Sequence, residues 1–328
     1  MLRFLSSSSL LSSSSGLSPE IKALRERLTT TSNETVTGRY DDMTKHLSGR
    51  ISQAMLGQKA IDDIEQQSVR LTIRGGRLEL TQSSLGVLQD STSGLSARMQ
   101  AALGSEDTAS KTATARDSKA ALNETFSALN SRYGERYLFS GDATTTPPFG
   151  SVDDLLSDIR QIVATATDAT DFATQLDTYF NSPTGGWRTN IYAGTETASN
   201  SDSVPGTDSS IIQIVSGLVV MALSGPDENL PLLDGGSDTV HAAAQSLANG
   251  QTSLTNLRAS VGISQAQVET QKESLEVEKT VLTASFNELT ARDQYEAAAE
   301  LKEIESSLET AYTLTARIAN LTLLNYMR

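Results

Sequence analysis

Apolar residues recur every three or four positions at both ends of this chain, and the middle breaks that rhythm. Near the start, Leu10, Leu17, Ile21, Leu24 and Leu28 are spaced by seven, four, three and four, the seam of an amphipathic or coiled-coil helix. Ser18-Pro19-Glu20 reads as that helix's start, with serine as the cap and proline at the first position. A polar stretch from Thr29 to Arg39 then breaks the period, and Gly38 suits a turn. A second seam passes through Ile61, Ile64, Leu71, Leu78, Leu85, Leu88, Leu95, Met99 and Ala102. Gly75-Gly76 inside it is an expected weak point or kink, because each glycine costs about 1 kcal/mol relative to alanine. A third helix is expected over about Thr108 to Tyr133.

The middle reads differently. Arg136 to Gly141 suits a short strand and turn, and Val152 to Phe180 carries two helical patterns. Trp187 to Tyr192 alternates between glycines, as a strand does. Thr195 to Asp208 and Pro226 to Gly236 read as loops, and the apolar run from 208 to 224 as a helix on its length. From Ser237 the 3/4 period returns through Leu254, Leu257, Val261, Val268, Leu275, Leu282 and Leu289. A less regular patch at Asp293–Glu300 precedes Leu301, Ile304, Leu308, Ala311, Ile318 and Leu321. Ile263 to Arg328 contains neither glycine nor proline, so those 66 residues are compatible with a rod roughly 100 Å long. Six of the seven prolines fall between Pro147 and Pro231. The expected fold is mainly α: a long antiparallel helical bundle or coiled coil of the two end segments, with a small mixed α/β insertion. The expected division is 1–40 with 290–328 as a terminal helical domain, 41–141 with 237–289 as a helical core, and 142–236 as an outer insertion.

Composition narrows the function. A net charge of −14 opposes binding to nucleic-acid backbone, whose affinity comes from neutralising phosphates. The absence of cysteine removes disulfides, thiol catalysis and cysteine-held metals. His46 and His241 sit in different segments, and no P-loop, dinucleotide fingerprint, HExxH or GxSxG motif occurs, so no enzyme, cofactor or metal site is expected. Asp234 to Asp238 reads as an ordinary loop in preference to a single calcium turn, and Asp41-Asp42, like Asp153-Asp154, is an adjacent pair that shares no face. Asp153-Asp154 beside Ser151 suits a helix start. Glu296, Glu300, Glu303 and Glu305 with Lys302 are expected to form a solvated helix face. No membrane span is visible, and serines interrupt the apolar residues of the first 16 positions, so a cleaved secretory signal is not expected.

Both tails combine apolar seams with few charges: Arg3 alone in the first 18 residues, Arg317 and Arg328 in the last 18. Burying several Leu and Ile side chains at roughly 1.5–3 kcal/mol each could offset the entropy of ordering such a tail. Leu24, Leu28, Leu308, Leu314, Ile318, Leu321 and Leu324 are therefore the expected assembly contacts.

Specific residues then carry a resemblance. Asp293-Gln-Tyr-Glu-Ala-Ala-Ala-Glu-Leu301, Ala311-Tyr312 and Leu321 to Met327 resemble the C-terminal helix of the flagellins and flagellar hook-associated proteins. Arg25 to Leu28, Thr37-Gly-Arg39 and Asp41-Asp42 resemble the family's N-terminal counterpart, with Val36-Thr-Gly38 where a Ser-Ser-Gly or Ser-Thr-Gly turn is usual. Leu257 to Gly262 is similar to the start of its returning helix, and Tyr137-Leu-Phe-Ser-Gly141 to its hook-associated branch. The resemblance covers about 1–141 and 237–328. It implies a structural subunit of the extracellular flagellum that self-associates in a helical ring, joins hook to filament and leaves unfolded through type III export. Implied partners are a neighbouring hook-associated protein, flagellin, the export apparatus and a chaperone. A flagellin forming the filament itself is the alternative, and a secreted coiled-coil binding module or adhesin a more distant one.

Overall fold

The computed structural model describes residues 8–196, 202–234 and 237–326, with side chains described for 19–196, 202–233 and 238–318. Its helices are α1 (Ser8–Thr37), α2 (Met43–Leu47), α3 (Ile51–Thr92), α4 (Leu95–Gly104), α5 (Thr108–Leu129), α6 (Val152–Thr165), α7 (Ala169–Asn181), α8 (Ser209–Leu223), α9 (Pro231–Asp234), α10 (Ser237–Thr290) and α11 (Gln294–Tyr326). Strands β1 (Arg132–Tyr133) and β2 (Arg136–Tyr137) form one antiparallel hairpin. The expected mainly helical architecture is thus observed. The described part of 142–236 holds helices and an isolated Phe149–Tyr192 bridge, not the strands expected of a mixed insertion. The chain divides into two compact units, Met1–Gln67 with Ser274–Arg328, and Ser68–Glu273.

In the first unit, α1 packs against α11. The α3 residues Ala54, Ile61 and Ile64 are buried, as is Leu275 of α10, and Lys279 reaches Glu65 at 3.0 Å. Two expectations change here. Helix α1 passes through Pro19 instead of starting there, and it continues across the polar stretch to Thr37. The 66-residue rod is also interrupted, because α10 stops at Thr290 and α11 starts at Gln294.

The second unit is built around α8, whose residues from Ile214 to Leu223 are almost all buried. A helix apolar on every side needs partners all round, and α5, α6 and α7 supply them. The expected helix assignment for 208–224 holds. Close approach to α10 depends on glycine: a Cβ at Gly217 would lie 2.7 Å from the Ala243 carbonyl, and one at Gly250 2.9 Å from the Ile214 nitrogen. Helices α5, α6, α7 and α8 each begin at an oxygen-bearing cap, Asp107, Ser151, Asp168 and Asp208, which accepts a hydrogen bond from a first-turn N–H.

Trp187 to Ile191 is a short π-helical turn, not the expected strand. Its indole enters a buried aromatic cluster with Phe126, Phe149 and Phe180, at ring separations of 5.4–6.3 Å. Packing of that ring, not alternation, sets the local backbone. Pro226–Glu228 and α9 replace part of the expected 226–236 loop with short helical turns. Helix α3 runs unbroken through Gly75-Gly76. Gly76 makes room for Tyr133, whose hydroxyl would meet an added Cβ at 2.7 Å.

The segment from Tyr137 to Gly141 closes this unit. Phe139 and Ser140 are fully buried, and the Phe139 carbonyl accepts hydrogen bonds from the Gly206 N–H and the Tyr192 hydroxyl, both at 3.0 Å. Gly141, at φ +62°, lies against the Thr195 carbonyl, which leaves no space for a side chain.

Candidate functional site

Heptad spacing brings the two ends of the chain together along one seam. On α11, Ala297, Leu301, Ile304, Leu308, Ala311, Thr315 and Ile318 alternate four and three apart and are buried or half-buried. On α1, Ile21, Leu24, Leu28, Thr31 and Thr35 do the same. That is the a/d pattern by which two helices keep one stripe in contact. Arg25 fixes the antiparallel pairing from the side: its Nε donates to the Tyr312 hydroxyl at 2.6 Å, and its guanidinium lies 5.5 Å from the ring centroid.

Of the residues expected to make assembly contacts, Leu24 and Leu28 are half-buried and Leu308 is buried within this seam. Ile318 is half-buried, while Leu314 points out at 48% exposure. Leu321 and Leu324 lie outside the described side chains.

The seam ends in an ionic knot. Gly38, at φ +67°, turns the chain after α1, and its carbonyl accepts from the Arg292 N–H at 2.9 Å. Arg39 bridges to Ala291 across the gap between α10 and α11. The Arg292 guanidinium bonds Glu34 of α1 and Glu300 of α11, and Arg27 reaches Glu300 at 2.8 Å. Glu34 also accepts from the Asp41 N–H at 3.0 Å, and its side chain is only 5% exposed. Arg292 lies 5.3 Å from the Tyr40 ring centroid, and Tyr40 stacks on His46 at 3.7 Å. A polar cleft of about 550 Å³ adjoins the knot, lined in part by Arg27, Glu34, His46 and Arg292.

Hydrogen bonds from Arg27 and Arg292 hold the Glu300 carboxyl below the usual carboxylate range. Burial works against the Arg292 charge, but its bonds to Glu300 and Glu34 outweigh that penalty and raise its pKa. Glu300 is therefore not part of a merely solvated face. Asp42 caps α2 by accepting from the Lys45 N–H, and the Asp293 carboxylate accepts from the Tyr295 N–H at 2.8 Å at the start of α11.

Periodicity missed Glu34, Tyr40 and Arg292. The available signal was local: Arg292 immediately precedes the irregular patch at Asp293–Glu300, and Glu34 sits one turn before Gly38. Among the described residues no group of three or more His, Asp or Glu is placed to hold a metal, and no helix is long and apolar enough to cross a membrane.

A seam of paired terminal helices, locked where they leave the rest of the unit, makes the first unit one organised around helix pairing rather than around a pocket. Residues 245–327, most of α10 and all of α11, match the bacterial flagellin C-terminal helical region. That match supports a flagellin-like structural protein of the flagellum. No curated protein matches this chain.

Proposed function

We propose that this protein is a hook–filament junction subunit resembling FlgL, the third hook-associated protein. The single observation that supports this most is the heptad pairing of α1 with α11, because α11 lies in the stretch that matches the flagellin C-terminal helical region. Assembly, not catalysis, is its activity. Leu314, left exposed on α11, together with Ile318, Leu321 and Leu324, meets neighbouring subunits; Leu24, Leu28 and Leu308 hold the pair that presents them. Export proceeds unfolded through the type III channel without a cleaved signal, helped by a chaperone, and the ring contacts a hook-associated neighbour on one side and flagellin on the other. Residues 142–236 form the outer part of the subunit.

The Tyr137–Gly141 segment favours the junction protein. The family match is to flagellin itself, which keeps the filament subunit as the second reading. Gold-labelled antibody against the protein separates them. A narrow band at the hook–filament joint is the expected result. Label along the filament would replace the junction reading with the flagellin one, and an unlabelled flagellum would overturn both.

A further inference from the structure

The second unit carries two surfaces that complement each other and that its own fold leaves uncovered. The first is a groove of about 660 Å³ between α7, α8 and the first turns of α10. It follows α7 from Ala169 to Asn181, about 18 Å at 1.5 Å per residue, the length of a helix of three turns or so. Leu176, Phe180, Ile212 and Ala242 line its apolar wall. Among the described residues its charged lining consists of Asp177 and Asp238, with no lysine or arginine. Thr239 also contributes to its lining, with its hydroxyl buried beneath the surface.

The second surface is a ridge on α3. Val69 and Ile73, one turn apart, are 59% and 46% exposed. Arg70 is exposed beside them, and Arg77 is half-buried two turns further on. Residues at i, i+4 and i+7 or i+8 share one helix face, so apolar and cationic groups stand together. Glu79, nine positions after Arg70, lies on the opposite face. Arg74 is already committed to Asp202, and Arg77 faces the same carboxylate, which leaves Arg70 as the ridge's outward cation.

We infer that the groove receives the Val69–Arg77 ridge of a second copy of this chain. The ridge supplies what the groove lacks: two apolar side chains for its wall and the Arg70 guanidinium for its carboxylates, Asp177 and Asp238. Because groove and ridge are different patches, the contact is head-to-tail, so each subunit offers one of each and the association propagates around a ring or along a helix. The contact rests on the stacking reading above and adds to it a lateral contact outside the terminal helices.

The chain has no cysteine, so an introduced pair reports this contact alone. Ile73→Cys with Ala173→Cys in one full-length chain, assembled at high concentration and oxidised with copper–phenanthroline, should give a ladder of disulfide-linked oligomers on denaturing gels. Either single variant should give dimers at most. Adding Asp177→Arg, an exposed position, should cut the ladder at least about tenfold, and adding Arg70→Asp to that variant should restore part of it. A missing ladder, or one indifferent to Asp177→Arg, would overturn the contact. If the same double-cysteine protein still labels the hook–filament joint while forming no ladder, only this contact is wrong. If the label leaves the joint, the junction reading fails separately.

Discussion

Arg292→Ala tests whether the ionic knot holds the terminal helix pair. The substitution removes the guanidinium that bonds both Glu34 and Glu300. Glu34 is left with a side chain 5% exposed, satisfied only by the Asp41 N–H. Glu300 keeps Arg27 as a partner. Breaking a buried pair from one side costs about 3–5 kcal/mol, and these remaining bonds place the expected loss near the lower end, about 3 kcal/mol. Read by native-state hydrogen exchange, that is about a hundredfold faster opening for the seam amides from Ile21 to Glu34 and Ala297 to Leu308. Arg98→Ala is the matched control. Its pair with Asp117 is about half exposed on both sides, and its loss should cost at most about 1 kcal/mol. Arg292→Ala with Glu34→Ala should recover part of the stability, because no carboxylate then remains buried alone. The reasoning fails if Arg292→Ala behaves like Arg98→Ala, or if the two substitutions in the knot simply add.

The same knot gives a pH dependence. The folded Glu300 pKa is depressed below its ordinary value near 4.5, so the unfolded chain binds the proton at higher pH. Its contribution is full above about 4.5 and is lost as pH falls through the lower folded value, which should appear as accelerating exchange in α11 below that point. The seam should be indifferent to pH between 6 and 8 as far as this group is concerned. Among glycines, Gly217→Ala should destabilise the second unit by roughly 1–3 kcal/mol, because its Cβ meets backbone of α10. Gly75→Ala, with only an ordinary 3.5 Å contact to Val268, should instead stabilise by about 0.5–1 kcal/mol; urea titrations followed by circular dichroism distinguish the two signs. Deleting Leu314–Arg328 should leave a soluble, folded chain that cannot restore filament growth to a strain lacking the protein, and a motility assay that shows rescue would remove the assembly role given to the tail.

The long helices were legible because burial on them is periodic. Leu71, Leu78, Leu85, Leu88 and Leu95 are all buried where the 3/4 spacing places them. The break before α11 was visible only as an irregular patch, because the groups that stop α10 come from elsewhere: the Gly38 carbonyl and the Arg39 bridge are more than 250 positions away in sequence. Trp187 misled for a related reason. Six residues that alternate by hydropathy fit a strand, yet the indole packed among Phe126, Phe149 and Phe180 sits on a π-helical turn, a set of contacts that alternation does not encode. Pro19 misled in the other direction, since its missing N–H suits a helix start but does not forbid continuation. The pairing of Glu34 with Arg292 depends on contacts across the fold, and no period in the sequence encodes it.

The stop between α10 and α11 has a property that proline or glycine would have denied it. Ala291, Arg292 and Asp293 are all free to adopt helical backbone angles, so nothing covalent separates the two helices. What separates them is a handful of polar contacts from the α1 end. The place where α10 ends is thus specified less by the residues at that place than by the turn that follows α1, more than 250 positions earlier in the chain.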